Sequence, residues 1–308
     1  MKKFGTRLIS AVLAGCMLVS VLPVSAFALG GGGTEVELSG SAQENSDAPA
    51  ETSGEGYLLP TNGATIDNDF IAAHGKVYSM SGPYTGGIVI DAAEDDVVIN
   101  VTGETTFDKG GNKDDCATLI TVRNAKSVTV NAVGQTIKTA EGRNYSRCFY
   151  AEDSFAGTAV LHGGTYNWQC DKSSACYLCG GSWTFDHLTM NAVWRAIDTD
   201  GANVTVEGGT YDCHDSTSAT FWIQNSPNSS FKDVTASGAG WVLNAVNNSW
   251  VAVVGGSYSR NEDAQVFKDR PTLRASNNAT LNVSNADVTG TYCDVFVAGA
   301  TANLFGGT

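Results

Sequence analysis

Val204-Thr205-Val206-Glu207-Gly208-Gly209-Thr210-Tyr211 joins a short alternating apolar run, one charged residue, a glycine pair and an aromatic. The same phrase recurs at Gly163-Gly164-Thr165-Tyr166, at Gly255-Gly256-Ser257-Tyr258 and, in part, at Gly306-Gly307-Thr308. The steps between glycine pairs are 45, 47 and 51 residues. A fixed period of this size marks a repeat architecture. Each pair follows a strand-like run: Ala159-Val160-Leu161, Val204-Thr205-Val206, Val251-Ala252-Val253 and Ala302-Asn303-Leu304.

Intermediate runs of the same kind halve that period. They include Val97-Val98-Ile99, Val128-Thr129-Val130, Trp183-Thr184-Phe185, Ser229-Ser230-Phe231 and Leu281-Asn282-Val283, with spacings of about 21 to 31 residues along the series. A second run precedes each, as at Phe149-Tyr150-Ala151, Tyr177-Leu178-Cys179, Ala196-Ile197-Asp198, Phe221-Trp222-Ile223, Val242-Leu243-Asn244 and Thr272-Leu273-Arg274. β-Branched and aromatic runs separated by Asn, Gly, Ser and Asp turns predict strands. A single coil of short strands cannot bury its inner face, whereas stacked coils share one core. Proline is absent from Thr85 to Ser226, as interior strands that need every N–H require. No amphipathic helix pattern of useful length follows residue 28. The expectation is an all-β fold, a parallel β-helix solenoid of about nine coils over residues 57–308, right-handed by the rule for parallel crossovers. The last coil carries no polar capping segment, so either further coils or an end-to-end partner is expected beyond Thr308.

The first 28 residues read as an export signal. Lys2, Lys3 and Arg7 precede the apolar run Leu8 to Val24, and Ala26-Phe27-Ala28 offers a small-x-small cleavage site. Leu13-Ala14-Gly15-Cys16 offers a competing lipobox. Residues 29–56 are rich in Gly, Ser, Glu and Ala and read as a flexible tether. The chain is thus expected to be secreted, extracellular or held at the cell surface, with no later span of a bilayer. It carries 18 Lys+Arg against 32 Asp+Glu, net −14. Loss of Lys2, Lys3 and Arg7 with the signal takes this to about −17. Such a surface repels nucleic acid and disfavours acidic polysaccharides unless a divalent cation bridges them.

At this point the chain resembles the right-handed β-helix family of pectin-lyase-like extracellular proteins, over about residues 75 to 308 and through architecture rather than an invariant motif. That family holds polysaccharide hydrolases and lyases as well as non-catalytic adhesins. Asp198-Thr199-Asp200-Gly201 resembles the Asn-Thr-Asp-Gly motif of polygalacturonases, with Asp in place of Asn, and the resemblance implies a catalytic role for Asp200. The remaining motifs of those enzymes are missing, and Asp-x-Asp-Gly is also ordinary turn chemistry. Arg270-Pro271-Thr272-Leu273-Arg274 is similar to a pectate-lyase segment, but with the proline one place too early.

Read residue by residue, the position before each glycine pair forms a row of Asn131, His162, Asp186, Glu207 and Lys232. Asp186 and Glu207 on adjacent coils have the backbone spacing of a retaining carboxylate pair or of hard ligands for Ca²⁺. The alternative is a solvated face whose neighbours offset charge. Trp168, Trp222, Trp241 and Trp250 are candidates to stack on sugar rings, and Arg195 is a further ligand-binding candidate. Tyr166, Tyr211 and Tyr258 read as core. Seven cysteines follow the signal, an odd number. Cys116, Cys148 and Cys176 are expected to stack before the first strand of successive coils, with one disulfide left open and no metal site.

The leading expectation is a structural or adhesin-like module that binds glycans or another surface ligand and needs no cofactor. The alternative is a glycoside hydrolase or a Ca²⁺-dependent lyase using Asp186, Asp198, Asp200 and Glu207.

Overall fold

The computed structural model describes residues 56–260, 270–290 and 293–308. The expected signal (1–28) and nearly all of the expected tether (29–56) lie outside them. Within them, 25 strands join in one parallel sheet that coils on itself as a β-helix solenoid. Three rows of strands run along its length.

The first row stacks Ala64–Ile66, the starts of Ile88–Phe107 and Ala117–Asn131, then Ser146–Ala151, Cys176–Leu178, Ile197–Asp200, Ala219–Gln224, Trp241–Val246, Leu273–Ser276 and Val295–Ala298. The extra coil relative to the nine read from the sequence is the N-terminal one. A seven-residue helix, Asn68–His74, interrupts that coil. Asp67 caps it by accepting from the Phe70 N–H at 2.9 Å, and Gly75 ends it at φ 79°. No residue of the helix is fully buried, Phe70 and Ile71 pack only partly against the core, and seven residues are too few to show a helical period in the sequence. No helix among the described residues is long and apolar enough to cross a membrane.

The second row contains Thr158–His162, Ser182–Asp186, Asn203–Glu207, Ser229–Lys232 and Trp250–Val254, and points alternate residues inward. Trp183 lies on Val204 and Phe185 on Val206, all buried. The third row stacks Tyr166, Met190, Tyr211, Ala236 and Tyr258 in register, again buried. Large rings thus alternate with smaller side chains down the axis. The tyrosine phenols are core residues, as expected, and burial pushes their pKa values up.

The corner between the second and third rows explains the two-coil period. Seven successive coils place one residue there at φ between 52° and 70°: Gly163, His187, Gly208, Asp233, Gly255, Asn285 and Gly306. Glycine alternates with a residue that carries a side chain. A Cβ on Gly208 would sit 2.8 Å from the His187 ring, and one on Gly255 would sit 2.3 Å from Asp233 Oδ1. A coil with a side chain at this corner therefore requires a bare neighbour. The repeat read from the sequence is a packing alternation laid over a one-coil structural unit.

The cysteine stack does not form in register. Cys176 pairs with Phe149, so Cys148 falls one place earlier, and Cys116 precedes the Ala117–Ser146 pair. All seven cysteines of the described residues are free thiols.

Candidate functional site

The first row differs from the others on its outer side. Each coil enters it through two consecutive inward residues, such as Cys148-Phe149, Cys176 after Ala175, Ala196-Ile197, Thr220-Phe221 and Val242-Leu243, all buried. The outward side chains flanking such a pair meet across the corner. After the pair comes an in-register ladder of Thr121, Tyr150, Tyr177, Asp198, Trp222, Asn244, Arg274 and Phe296. Before it come Arg147, Arg195 and Trp241 on their respective coils.

Arginines and rings interleave along this face. The Arg147 guanidinium lies 5.2 Å from the Tyr150 ring centre and 4.7 Å from that of Tyr177. Those two rings stack 6.0 Å apart and only 3° from parallel. Arg195 is sandwiched between Trp194 at 4.1 Å and Trp222 at 4.2 Å. Trp222 meets Trp241 edge to face at 6.2 Å, and Arg270 lies 4.0 Å over Trp241, with Arg274 at 5.5 Å. Planar guanidinium groups stack on rings where ammonium groups would stay hydrated. The lysines with ion pairs to other rows, Lys76, Lys126 and Lys138, face Asp95, Asp96 and Glu104 elsewhere.

Three of the expected site residues come together here. Asp198, Arg195 and Trp222 form one cluster. Arg195 Nη1 donates to Asp198 Oδ2 at 2.6 Å, and Ser174 Oγ donates to the same oxygen at 2.9 Å. Asp198 is 4 % exposed and its Oδ1 has no protein partner. Burial pushes this carboxyl up, and Arg195 and Ser174 offset part of the rise. Two coils further on, Asn244 is fully buried with both amide atoms lacking a protein partner. Asp200 belongs to the same strand as Asp198, in register with Gln224, and its Oδ1 accepts from Asn225 Nδ2 at 2.6 Å.

Asp186 and Glu207 lie in another row. The row Asn131, His162, Asp186, Glu207, Lys232 forms in register as the sequence predicts. Both Asp186 oxygens are engaged, Oδ2 with His162 Nδ1 at 2.8 Å and Oδ1 with His187 Nδ1 at 2.5 Å. The His187 bond first, then that of His162, holds this carboxyl below its usual range. Glu207 is exposed beside a concavity of about 360 Å³ that His187 and Lys232 also line. The four candidate carboxylates are therefore divided between two faces, each face holding one pair.

Trp168 is a correction. It is fully buried, stacks on Phe107 at 6.2 Å and donates its indole N–H to Ser146 O at 2.8 Å. It presents no face to a ligand. Trp250 is 41 % exposed but stands alone in the second row. Among the described residues no group of three or more His, Cys, Asp or Glu side chains is placed to hold a metal ion.

A cleft of about 780 Å³ continues the first-row face toward the N-terminal coils. Thr121, Arg123, Arg147, Tyr150 and Glu152 line it, together with the loop from Lys109 to Cys116. Arg147, Tyr150, Tyr177, Trp194 and Asn244 were not singled out by reading the sequence. The signal that finds Tyr150, Tyr177 and Asn244 is the residue after each inward pair once the coils are in register, whereas Arg147 and Trp194 lie on the side before the pair. In comparisons with known proteins the chain matches no family model, no curated protein and no solved structure.

Proposed function

We propose that this is a secreted or cell-surface β-helix module, structural or adhesin-like in role, that binds glycans along the outer side of its first strand row. The observation that carries the reading is the interleaved ladder of Tyr150, Tyr177, Trp194, Trp222 and Trp241 with Arg147, Arg195, Arg270 and Arg274. Rings held by stacked guanidinium groups are fixed in orientation before any ligand arrives, which lowers the entropy cost of binding. Coils about 4.8 Å apart repeat the platform at close to the length of a sugar residue. An acidic chain that concentrates its arginines on one aromatic face has a surface set apart from the rest.

The test is a glycan array probed with the purified protein and with Trp222→Ala. Binding lost in that variant supports the assignment; binding kept at full strength places the ligand elsewhere, and no binding to any glycan ends it.

A second reading, a polysaccharide hydrolase or a Ca²⁺-dependent lyase of the pectin-lyase-like class, draws on one observation: the buried Asp198 carboxyl two residues from Asp200. Incubation with plant and host polysaccharides, with and without Ca²⁺, separates the readings. New reducing ends or unsaturated products would favour the enzyme.

A further inference from the structure

We infer that Arg147, with the stacked Tyr150 and Tyr177 rings, forms a subsite for the carboxylate of an acidic sugar, so that the face selects anionic glycans despite the acidity of the chain. This rests on the glycan-binding reading above and narrows it to one ligand class.

Of the two arginines that line the cleft, Arg123 and Arg147, Arg147 is the one with no ion pair to a described residue. Arg195 is committed to Asp198 and Arg123 to Glu152, at 2.6 and 2.8 Å. Arg147 makes no ion pair with any described residue, and its buried Nε has no protein partner. Its guanidinium instead lies against two parallel tyrosine rings and borders the 780 Å³ cleft. A planar fork resting on rings can take a carboxylate through two parallel N–H bonds, and such charge-assisted pairs are the strong ones.

The tyrosines supply the second half of the recognition. Tyr150 lines the cleft and is held by the Tyr177 ring stacked on it 3° from parallel, so the apolar face of a pyranose can rest against Tyr150 while its carboxylate turns to Arg147. Asp114 and Asp115 also line the cleft on its loop side. They oppose an anion there, whereas Glu152 on the tyrosine side is already paired with Arg123, so the seat for the carboxylate is the tyrosine side. The chemistry is that of a sugar carboxylate, and either a hexuronate or a sialic acid provides it.

The experiment titrates the purified protein at low salt with a hexuronate trisaccharide, with a sialylated trisaccharide, and with the carboxyl-reduced form of each. The acidic forms should bind about tenfold or more tightly than their reduced counterparts. Arg147→Met should erase that ratio while leaving the reduced forms within about twofold. Arg147→Lys, which keeps the charge but loses the fork, should recover only part of the ratio. Which of the two acids shows the preference identifies the source. Circular dichroism of both variants confirms that the coil stack is kept. Equal binding of acidic and reduced forms, still sensitive to Trp222→Ala, would overturn this inference and leave the glycan reading standing. A preference that survives Arg147→Met would also overturn it. No binding of any probe would remove both.

Discussion

The alternation of glycine with larger residues along one corner can be tested by a double-mutant cycle at Gly208 and His187. Gly208 stands at φ 63°, where an added Cβ costs about 1–2 kcal/mol on backbone grounds alone. That Cβ would also lie 2.8 Å from Cδ2 and Nε2 of His187, against an ordinary carbon contact of about 3.5–4.0 Å. The ring is 74 % exposed and can swing toward solvent only by loosening its Nδ1 bond to Asp186 at 2.5 Å. Retreat by roughly 1 Å gives up that bond or strains the corner, adding about 1–3 kcal/mol. Gly208→Ala should therefore destabilise by about 2–5 kcal/mol. In a His187→Gly background only the backbone part should remain, so the two changes should couple by about 1–3 kcal/mol. Urea unfolding followed by circular dichroism reads the cycle, with the slope unchanged so that midpoints compare directly. Costs that add to within about 0.5 kcal/mol would refute the idea that a side chain at one coil forbids one on the next.

Other expectations follow from the same contacts. Asp198→Ala leaves Arg195 charged and unpaired between two indoles, and should cost about 3–5 kcal/mol. Glu152→Ala breaks the more exposed pair with Arg123 and should cost less than about 1 kcal/mol, and thermal melts of the two variants check the contrast. Because the Asp186 carboxyl is held below its ordinary value of 3.8, it adds stability above that pH. This increment is lost as pH falls through the lower folded value, so acid titration of Asp186→Asn should show a shallower loss below about pH 4. In native-state thiol labelling, half-exposed Cys116, Cys179 and Cys293 should react first, while Cys148 and Cys176, fully buried with thiols pushed up by burial, should react only on unfolding.

The fold was legible because glycine pairs and β-branched runs recur at intervals that only stacked coils satisfy. The row from Asn131 to Lys232 was legible too, since a glycine pair anchors its register. The aromatic face was not. Its middle strands, Ser146–Ala151, Cys176–Leu178, Ile197–Asp200 and Ala219–Gln224, directly follow no glycine, so the sequence aligns Tyr177-Leu178-Cys179 with Phe149-Tyr150-Ala151, whereas the true partner of Phe149 is Cys176. A slip of one residue exchanges inward and outward positions, and it hid the ladder that joins Tyr150, Tyr177, Asp198 and Trp222. Trp168 was misplaced for a related reason. Strand alternation puts its side chain inward, beside Phe107, and an aromatic residue alone does not announce which side it faces.

The corner alternation also limits how such a chain can change length. Deleting the single coil that carries Gly208 would bring Asp233 onto His187, two side chains where the geometry accepts one. Removing or duplicating two coils together keeps every bare corner against an occupied one. Growth, shrinkage and engineered splicing of this solenoid should therefore proceed by pairs of coils, with the pair as the unit of exchange even though the single coil is the unit of structure.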